Sequence, residues 1–316
     1  MTSRELLYIK TIADEKNITQ AAKKLFVTQP SLSHCISGIE AQLGEKLFRR
    51  TSSGLVLTYA GEQYYRMACE VLRIYTDFET RIKDMGSLTH GRITFGITNY
   101  LSINLIPKVM PAFHSRYPGI ELNMVEKTSA EMEDGLMKGE LDFAIIQSGL
   151  GGEISANPDI CADVLSRDPF LLVAPWDTPY AAEDHPASGT LPVLDPKVLK
   201  NEPFLLGLPT QRIRQVSDCI LRKAGIEPHV VLTSRNFETL RRLCAHGMGY
   251  TFLPRQYAGI LGGNEHRCRY FALPEKYGAY WDLTISYVKD SYLSNAAQTF
   301  LDMLRDIVAR EEAGIL

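Results

Sequence analysis

The sequence predicts two unlike halves: a small, mostly α-helical winged helix-turn-helix at the N-terminus and a larger α/β body, joined by one long helix. Three observations carry this. Residues 1–58 hold three short helical periods followed by a basic hairpin signal. Residues 59–89 repeat apolar side chains at alternating steps of three and four. From residue 91 onward, strand and helix patterns alternate.

In the first segment Leu6, Ile9, Ile12 and Ala13 recur at helical spacing and predict a first helix. Asn17-Ile18-Thr19 breaks it, and Thr19 reads as the cap of a second helix over 20–25. Ala21 and Ala22 on that helix let a neighbour approach closely. Thr28 reads as the cap of a third helix, with Pro30 in the first turn, where a missing N–H costs little. Leu32, Ile36, Ile39 and Leu43 form one apolar stripe on it, and Gly44 ends it. The opposite side shows Pro30, Ser31, Ser33, His34, Ser37 and Gly38. An ordinary surface helix carries Glu and Lys there. Small hydrogen-bonding side chains instead suit close approach to base edges and phosphates in a DNA major groove. Apolar segments then flank Ser52-Ser53-Gly54, a hairpin signal whose first arm bears Arg49 and Arg50. A basic hairpin beside a helix-turn-helix reads as a wing that reaches phosphate or the minor groove.

Charge supports this division. Residues 1–60 carry eight basic and five acidic side chains, a surplus of three, so the net charge of −3 leaves −6 on the remainder. A basic head on an acidic body predicts that nucleic acid meets only the head.

The stretch from Asn17 to Ser33 is followed by 39–44 (IEAQLG), 47–50 (LFRR) and 57–61 (LTYAG) in a fixed order and spacing. This series resembles the head of the LysR-type transcriptional regulators. The resemblance implies that Thr28, Gln29, Pro30, Ser33 and His34 approach double-stranded operator DNA together with the wing. With the helix-face and hairpin arguments, the candidate DNA-contacting set is Thr28, Gln29, Pro30, Ser31, Ser33, His34, Ser37, Arg49, Arg50 and Ser52. One departure stands out. Relatives often carry Arg at the place of His34 and further basic residues near Ser37 and Gly38. Fewer phosphate contacts from this helix imply a shallower salt dependence.

Thr58 reads as the cap of a long helix reaching about Ser87, with apolar residues at Ala60, Tyr64, Met67, Val71, Ile74, Phe78, Ile82 and Met85. Such a heptad seam predicts pairing with a second copy, so that two heads read two half-sites. Packing on its own chain is the alternative. Gly86, Ser87, Thr89, His90 and Gly91 read as a hinge.

In the body, strands are predicted at 92–98, 120–125, 141–146, 170–174, 203–206, 229–233, 250–253 and 281–288. Helices are predicted at 103–113, 131–138, 213–223, 237–246 and 296–309. This alternation implies a mainly parallel sheet. Residues 117–122 (YPGIEL), 138–145 (KGELDFAI), 244–250 (CAHGMGY) and Leu253-Pro254 resemble the effector domain of the same family. The resemblance implies a two-lobed, periplasmic-binding-protein-like α/β fold with a small-molecule effector in the cleft. Lobe one would span 91–164 and 269–316, and lobe two 165–268. It also implies dimers that pair into tetramers, and leaves a contact with RNA polymerase open.

Ligands of open α/β sheets bind beyond the carboxyl ends of strands, near helix N-termini that favour anions. In lobe one this selects Thr98, Asn99, Tyr100 and Ser102, then Lys127, Thr128 and Ser129, then Gln147 and Ser148. In lobe two it selects Pro209, Thr210 and Gln211, then Thr233, Ser234 and Asn236. Each could equally be an ordinary cap or turn residue. A small carboxylate-bearing metabolite is the expected effector, with Tyr100 facing an aromatic or apolar portion.

Other classes fit less well. No GxSxG elbow, strand-linked GxGxxG or P-loop is present, so no enzyme is expected. The six cysteines form no CxxC pair and the seven histidines no HExxH, so no metal or cofactor is expected. The scattered thiols read as buried residues, with a redox-sensing cysteine as the alternative. No apolar run reaches the ~18 residues that span a bilayer, and the N-terminus shows no signal pattern, so a cytoplasmic location is expected. A solute-binding protein for transport would lack the N-terminal helix-turn-helix. A structural nucleoid protein would lack the cleft.

Overall fold

A computed structural model of the chain describes residues 2–52, 54–84, 91–149, 155, 157–180, 191–260 and 268–312. The head consists of α1 (Ser3–Glu15), α2 (Ile18–Lys24), α3 (Gln29–Leu43), β1 (Phe48–Thr51) and β2 (Gly54–Leu57). The long helix α4 (Tyr59–Asp84) follows. Thr2 and Glu5 close a capping box on α1. Asn17, not Thr19, caps α2: its side-chain oxygen accepts from the N–H groups of Thr19 (2.9 Å) and Gln20 (3.2 Å). The short Asn amide reaches both orphan donors, and Thr19 falls into the first turn. Thr28 caps α3, and Gly44 ends it in a left-handed conformation.

The head core gathers Leu6, Ile9, Ile12, Ala21, Ala22, Leu32, Ile36 and Ile39 around Leu47 and Tyr64. Leu43, the end of the predicted stripe, lies past this core and is 51% exposed. The wing is pinned to α1: Leu55 N–H donates to Lys16 O at 2.9 Å. Gly54 makes this contact possible, since a Cβ there would stand 2.8 Å from the same carbonyl, at φ +111°. The hairpin position is therefore set by backbone contact.

The seam on α4 divides. Tyr64 is buried in the head core, with Ala60 and Met67 packed against it. Val71, Ile74, Phe78 and Ile82 are exposed, three of them by more than half, and Tyr75 lies among them. The first part thus takes the own-chain alternative, while the second part is an open apolar stripe. Met85 and the predicted hinge at 86–90 lie outside the described residues. The end of α4 is tied to the body, where Asp84 accepts from Tyr292 Oη (2.9 Å) and Asn295 N–H (2.8 Å). On the head, Asp14 of α1 holds Lys10 and Tyr65 and stands 3.9 Å from Lys138 of the body.

The body runs β3 (Gly91–Ile97), α5 (Asn99–Arg116), β4 (Ile120–Glu126), α6 (Ser129–Met137), β5 (Phe143–Gln147), β6 (Ile160–Pro175) and β7 (Pro203–Leu206). Then come α7 (Arg212–Ala224), β8 (His229–Thr233), α8 (Phe237–Ala245), β9 (Thr251–Pro254), α9 (Arg255–Ile260), β10 (Cys268–Ala272), β11 (Tyr280–Val288) and α10 (Asn295–Glu312). Lobe one is the order β4-β3-β5-β11 plus the first half of β6. The second half of β6, from Phe170, pairs with β9 and β10. The parallel pair β7-β8 joins that lobe through a bridge from Phe204 to Tyr250.

The sheet is mixed rather than mainly parallel. β3 pairs parallel with β4 and β5, but β11 is antiparallel to both β5 and β6. The reason is topological: β6 carries the chain out to lobe two and β11 brings it back, so the two must run in opposite directions. The change of lobe falls inside β6, between Pro169 and Phe170, rather than at 164/165. β10 stays with lobe two, so residues 269–272 do not begin lobe one. Packing is aromatic at both centres. Phe95, Phe143 and Phe113 surround Phe300 in lobe one, and Phe204 stacks on Phe252 in lobe two.

Candidate nucleic-acid interface and interlobe cleft

The face of α3 opposite its apolar stripe is open. Thr28, Gln29, Pro30, Ser31, His34 and Ser37 are exposed and Ser33 is half-buried. The Thr28 hydroxyl accepts from Ser31 N–H at 3.4 Å as a cap and keeps its own proton to donate. On the wing, Arg49, Arg50 and Ser52 are all exposed. Among the described residues neither arginine has an ion-pair partner. Ser53 lies outside the described residues.

Sequence reasoning missed Phe26 here. It is 95% exposed at φ 55°, in the turn between α2 and α3. Phe26 N–H bonds to Lys23 O (3.2 Å) and Val27 N–H to Ala22 O (3.0 Å), which closes α2 as a Schellman turn. That turn wants Gly at this position. A left-handed residue with a Cβ costs about 1 kcal/mol, so an exposed Phe is unfavourable for the fold alone.

In the body, most of the predicted site residues are already committed. Thr98 Oγ1 donates to Gln147 Oε1 at 3.2 Å, tying the ends of β3 and β5. The buried Ser102 hydroxyl lies between Asn99 O and the Glu126 carboxylate. Thr128 forms a capping box with Glu131 on α6, and Ser129 is buried behind it. Ser148 accepts from Asp282 N–H (2.8 Å) and donates to Gly149 O (3.0 Å), which stitches β5 to β11. In lobe two, Gln211 accepts from Leu208 N–H (2.9 Å) and donates to Arg235 O (3.0 Å). Asn236 caps α8, and Ser234 accepts from Asn236 N–H at 3.1 Å. Asn99, Lys127, Pro209, Thr210 and Thr233 are exposed, and no hydrogen bond engages their side chains among the described residues.

Among the described residues a ring stack and an ion pair cross between the lobes, and sequence reasoning reached only Tyr100 of their four residues. Tyr100 of α5 stacks on Tyr257 of α9 with ring centroids 3.5 Å apart. Phe237 of α8 meets Tyr257 edge-on. Glu133 of α6 pairs with Arg212 of α7 at 3.2 Å and also accepts from Ser155. The Tyr100 hydroxyl is buried and has no hydrogen-bond partner among the described residues. Burial holds it protonated, so it is a donor without an acceptor. Nearby, Asp168 of β6 is buried at the lobe crossing, and burial pushes its carboxyl up to about 6, against the pull of Gln256 N–H at 3.2 Å. Hydrogen bonds with Thr128 hold the Glu131 carboxyl at the start of α6 below its usual range, and the charges of Lys127 in lobe one and Arg235 in lobe two pull the same way.

The model described as the bacterial regulatory helix-turn-helix protein, lysR family, matches residues 3–62. The LysR substrate binding domain model matches residues 86–309. YybE, an HTH-type transcriptional regulator of Bacillus subtilis, is 27% identical over 95% of this chain and 97% of its own length. The full-length structure of an OxyR variant from Pseudomonas aeruginosa superposes with a TM-score of 0.69 at 24% identity, covering 98% of this chain and 94% of that one. Full-length CbnR in complex with its target DNA gives a TM-score of 0.51 at 19% identity, covering 98% of this chain and 100% of that one.

Proposed function

The chain belongs to the LysR family of bacterial transcriptional regulators, and from that premise we propose that α3 and its arginine wing dock on operator DNA while the interlobe cleft takes a small anionic effector. It is a DNA-binding regulator with an effector-binding domain, and its family members are not enzymes. The exposed, uncommitted face of α3 beside a wing fixed by Gly54 carries the DNA half of the proposal. In this reading Gln29, Ser31, Ser33 and His34 read base edges, with Arg49 and Arg50 on phosphate. Thr28, Pro30, Ser37 and Ser52 position the backbone.

The effector half rests on different groups. Lys127 and Arg235 supply positive charge from opposite lobes, Asn99 and Thr210 supply free polar side chains, and Tyr100 offers a buried donor to an acceptor on the ligand. Thr98, Ser102, Thr128, Ser129, Gln147, Ser148, Ser234 and Asn236 shape the walls through the bonds described above. The exposed stripe Val71–Ile82 pairs two copies, so that two heads meet two half-sites, and such dimers join into tetramers. The effector shifts the balance between lobe arrangements, and through it the head spacing. Transcription then changes by exclusion of RNA polymerase or by contact with it. A regulator of genomic DNA works in the cytoplasm, and no described helix is long and apolar enough to cross a membrane.

Selection from a random duplex pool with the full chain tests the first half. The expected product is a two-part motif spaced by about 10 base pairs or a multiple, and a pool that stays random overturns it. Thermal-shift titration of the full chain with small mono- and dicarboxylates tests the second half. A hit should weaken in Lys127→Ala and in Arg235→Ala, and an unchanged titration in both sinks the cationic assignment.

A further inference from the structure

Six thiols are scattered through the sequence, yet the fold brings two of them together. Cys244 lies near the end of α8 and Cys268 opens β10, twenty-four residues later. Both are buried, Cys244 completely and Cys268 to 8% exposure. The Cys268 sulfur donates to the carbonyl of Arg241 at 3.4 Å. Arg241 stands three residues before Cys244, on the same face of α8, so the sulfur of Cys268 sits on the helical turn that carries Cys244. Neither thiol is bridged, and each alters the ionisation of the other.

The surroundings are asymmetric. The Arg241 side chain is buried, held by a two-point ion pair to Glu238 at 2.8 Å, and it acts on both Cys268 and Tyr270. The Cys244 thiol and the Arg241 charge hold Cys268 below the usual thiol range, whereas Cys268 and burial push Cys244 up. The less deeply buried cysteine is thus also the one whose anion is stabilised, and its neighbour keeps its proton.

We propose that Cys244 and Cys268 form a reversible redox site, in which hydrogen peroxide converts the dithiol to a disulfide that fastens α8 to β10. Cys268 attacks one peroxide oxygen, the O–O bond breaks, and the departing hydroxide takes the thiol proton and leaves as water. The sulfenic acid so formed is attacked at sulfur by Cys244. The S–O bond breaks, a second water leaves with the Cys244 proton, and the S–S bond closes. Two thiols lose two electrons, and one peroxide becomes two waters. The link matters for regulation because α8 carries Asn236 and Phe237 at its cleft end, while β10 is bonded along β6, the strand common to both lobes. Oxidation therefore fixes one wall of the cleft to its frame.

The test is thiol mapping on the full chain. The protein is treated with hydrogen peroxide, denatured, alkylated and digested, and peptides are identified by mass. The expected result is a loss of two hydrogens, two fewer alkylated cysteines than the six present, and a Cys244–Cys268 crosslinked peptide that dithiothreitol removes. Cys244→Ser should stop at a Cys268 sulfenic acid that dimedone captures, and Cys268→Ser should yield neither product. Alkylation of all six cysteines after treatment, or a crosslink that joins any other pair, overturns the proposal. The wild-type map decides the matter even if a variant does not fold.

Discussion

The recognition face of α3 and the cleft between the lobes are built from the same kinds of side chain, hydroxyls and amides at helix N-termini, but they stand in opposite states. On α3 those groups are exposed and nearly all uncommitted. In the cleft most are already engaged in hydrogen bonds, and Tyr100 stacks on Tyr257 across the lobes. The difference teaches how each surface meets its partner. The head can dock as a rigid body, with little internal bonding to exchange. The cleft must give up or rearrange contacts to admit a ligand, so binding there is coupled to a change in lobe geometry.

The largest effect is expected at Tyr257. Tyr257→Ala removes a buried ring that bridges the lobes, and about 3 kcal/mol of body stability should be lost. Chemical denaturation measures it, and Ser31→Ala on the open face should leave the same curve unmoved. Equal losses from both would erase the distinction between a closed and an open surface. Next comes the double variant Arg49→Ala, Arg50→Ala. Affinity for any duplex should fall about a hundredfold at low salt, with a shallower salt slope, and folding should be unaffected. A loss confined to one sequence would instead make these arginines base readers.

Asp168 sharpens the cleft side. Its carboxyl titrates near 6 in the folded body and near 3.8 in the unfolded chain. Between these values the folded state binds more protons, so its stabilising share is complete below about pH 4 and lost as pH rises through about 6. Asp168→Asn should flatten the stability profile of that window by about 3 kcal/mol, and a variant that keeps the wild-type slope would remove Asp168 as the cause. The smallest effect belongs to the head. Phe26→Gly relieves a left-handed residue and should stabilise the head by about 1 kcal/mol while weakening its DNA complex. Tighter or unchanged DNA binding would mean that Phe26 has no contact to lose.

Much of this was legible because it is periodic or local. The stripe on α3, the cap at Thr28, the stop at Gly44 and the strand–helix alternation of the body are one-dimensional signals. The first half of β6 was not legible, because Asp163, Arg167 and Asp168 interrupt its apolar pattern. Their partners, Arg305, Asp282 and Gln256, come from three distant segments. At six residues α9 is too short to carry a helical period, and with it Tyr257 stayed hidden. Of the cleft residues, the sequence marks the ends of strands correctly but says nothing about which of those hydroxyls are already in use. The pairing of Cys244 with Cys268 depends wholly on how α8 lies against β10.

Because β6 belongs to both lobes, the outward crossing of the body is a strand rather than a linker. A cut anywhere in the strand takes the edge from one sheet and the centre from the other. The lobes are then coupled as a torsion bar couples two wheels: they can twist about Pro169 and Phe170, but neither can melt alone. Calorimetry of the body should show one cooperative transition, and halves expressed separately should be insoluble until mixed.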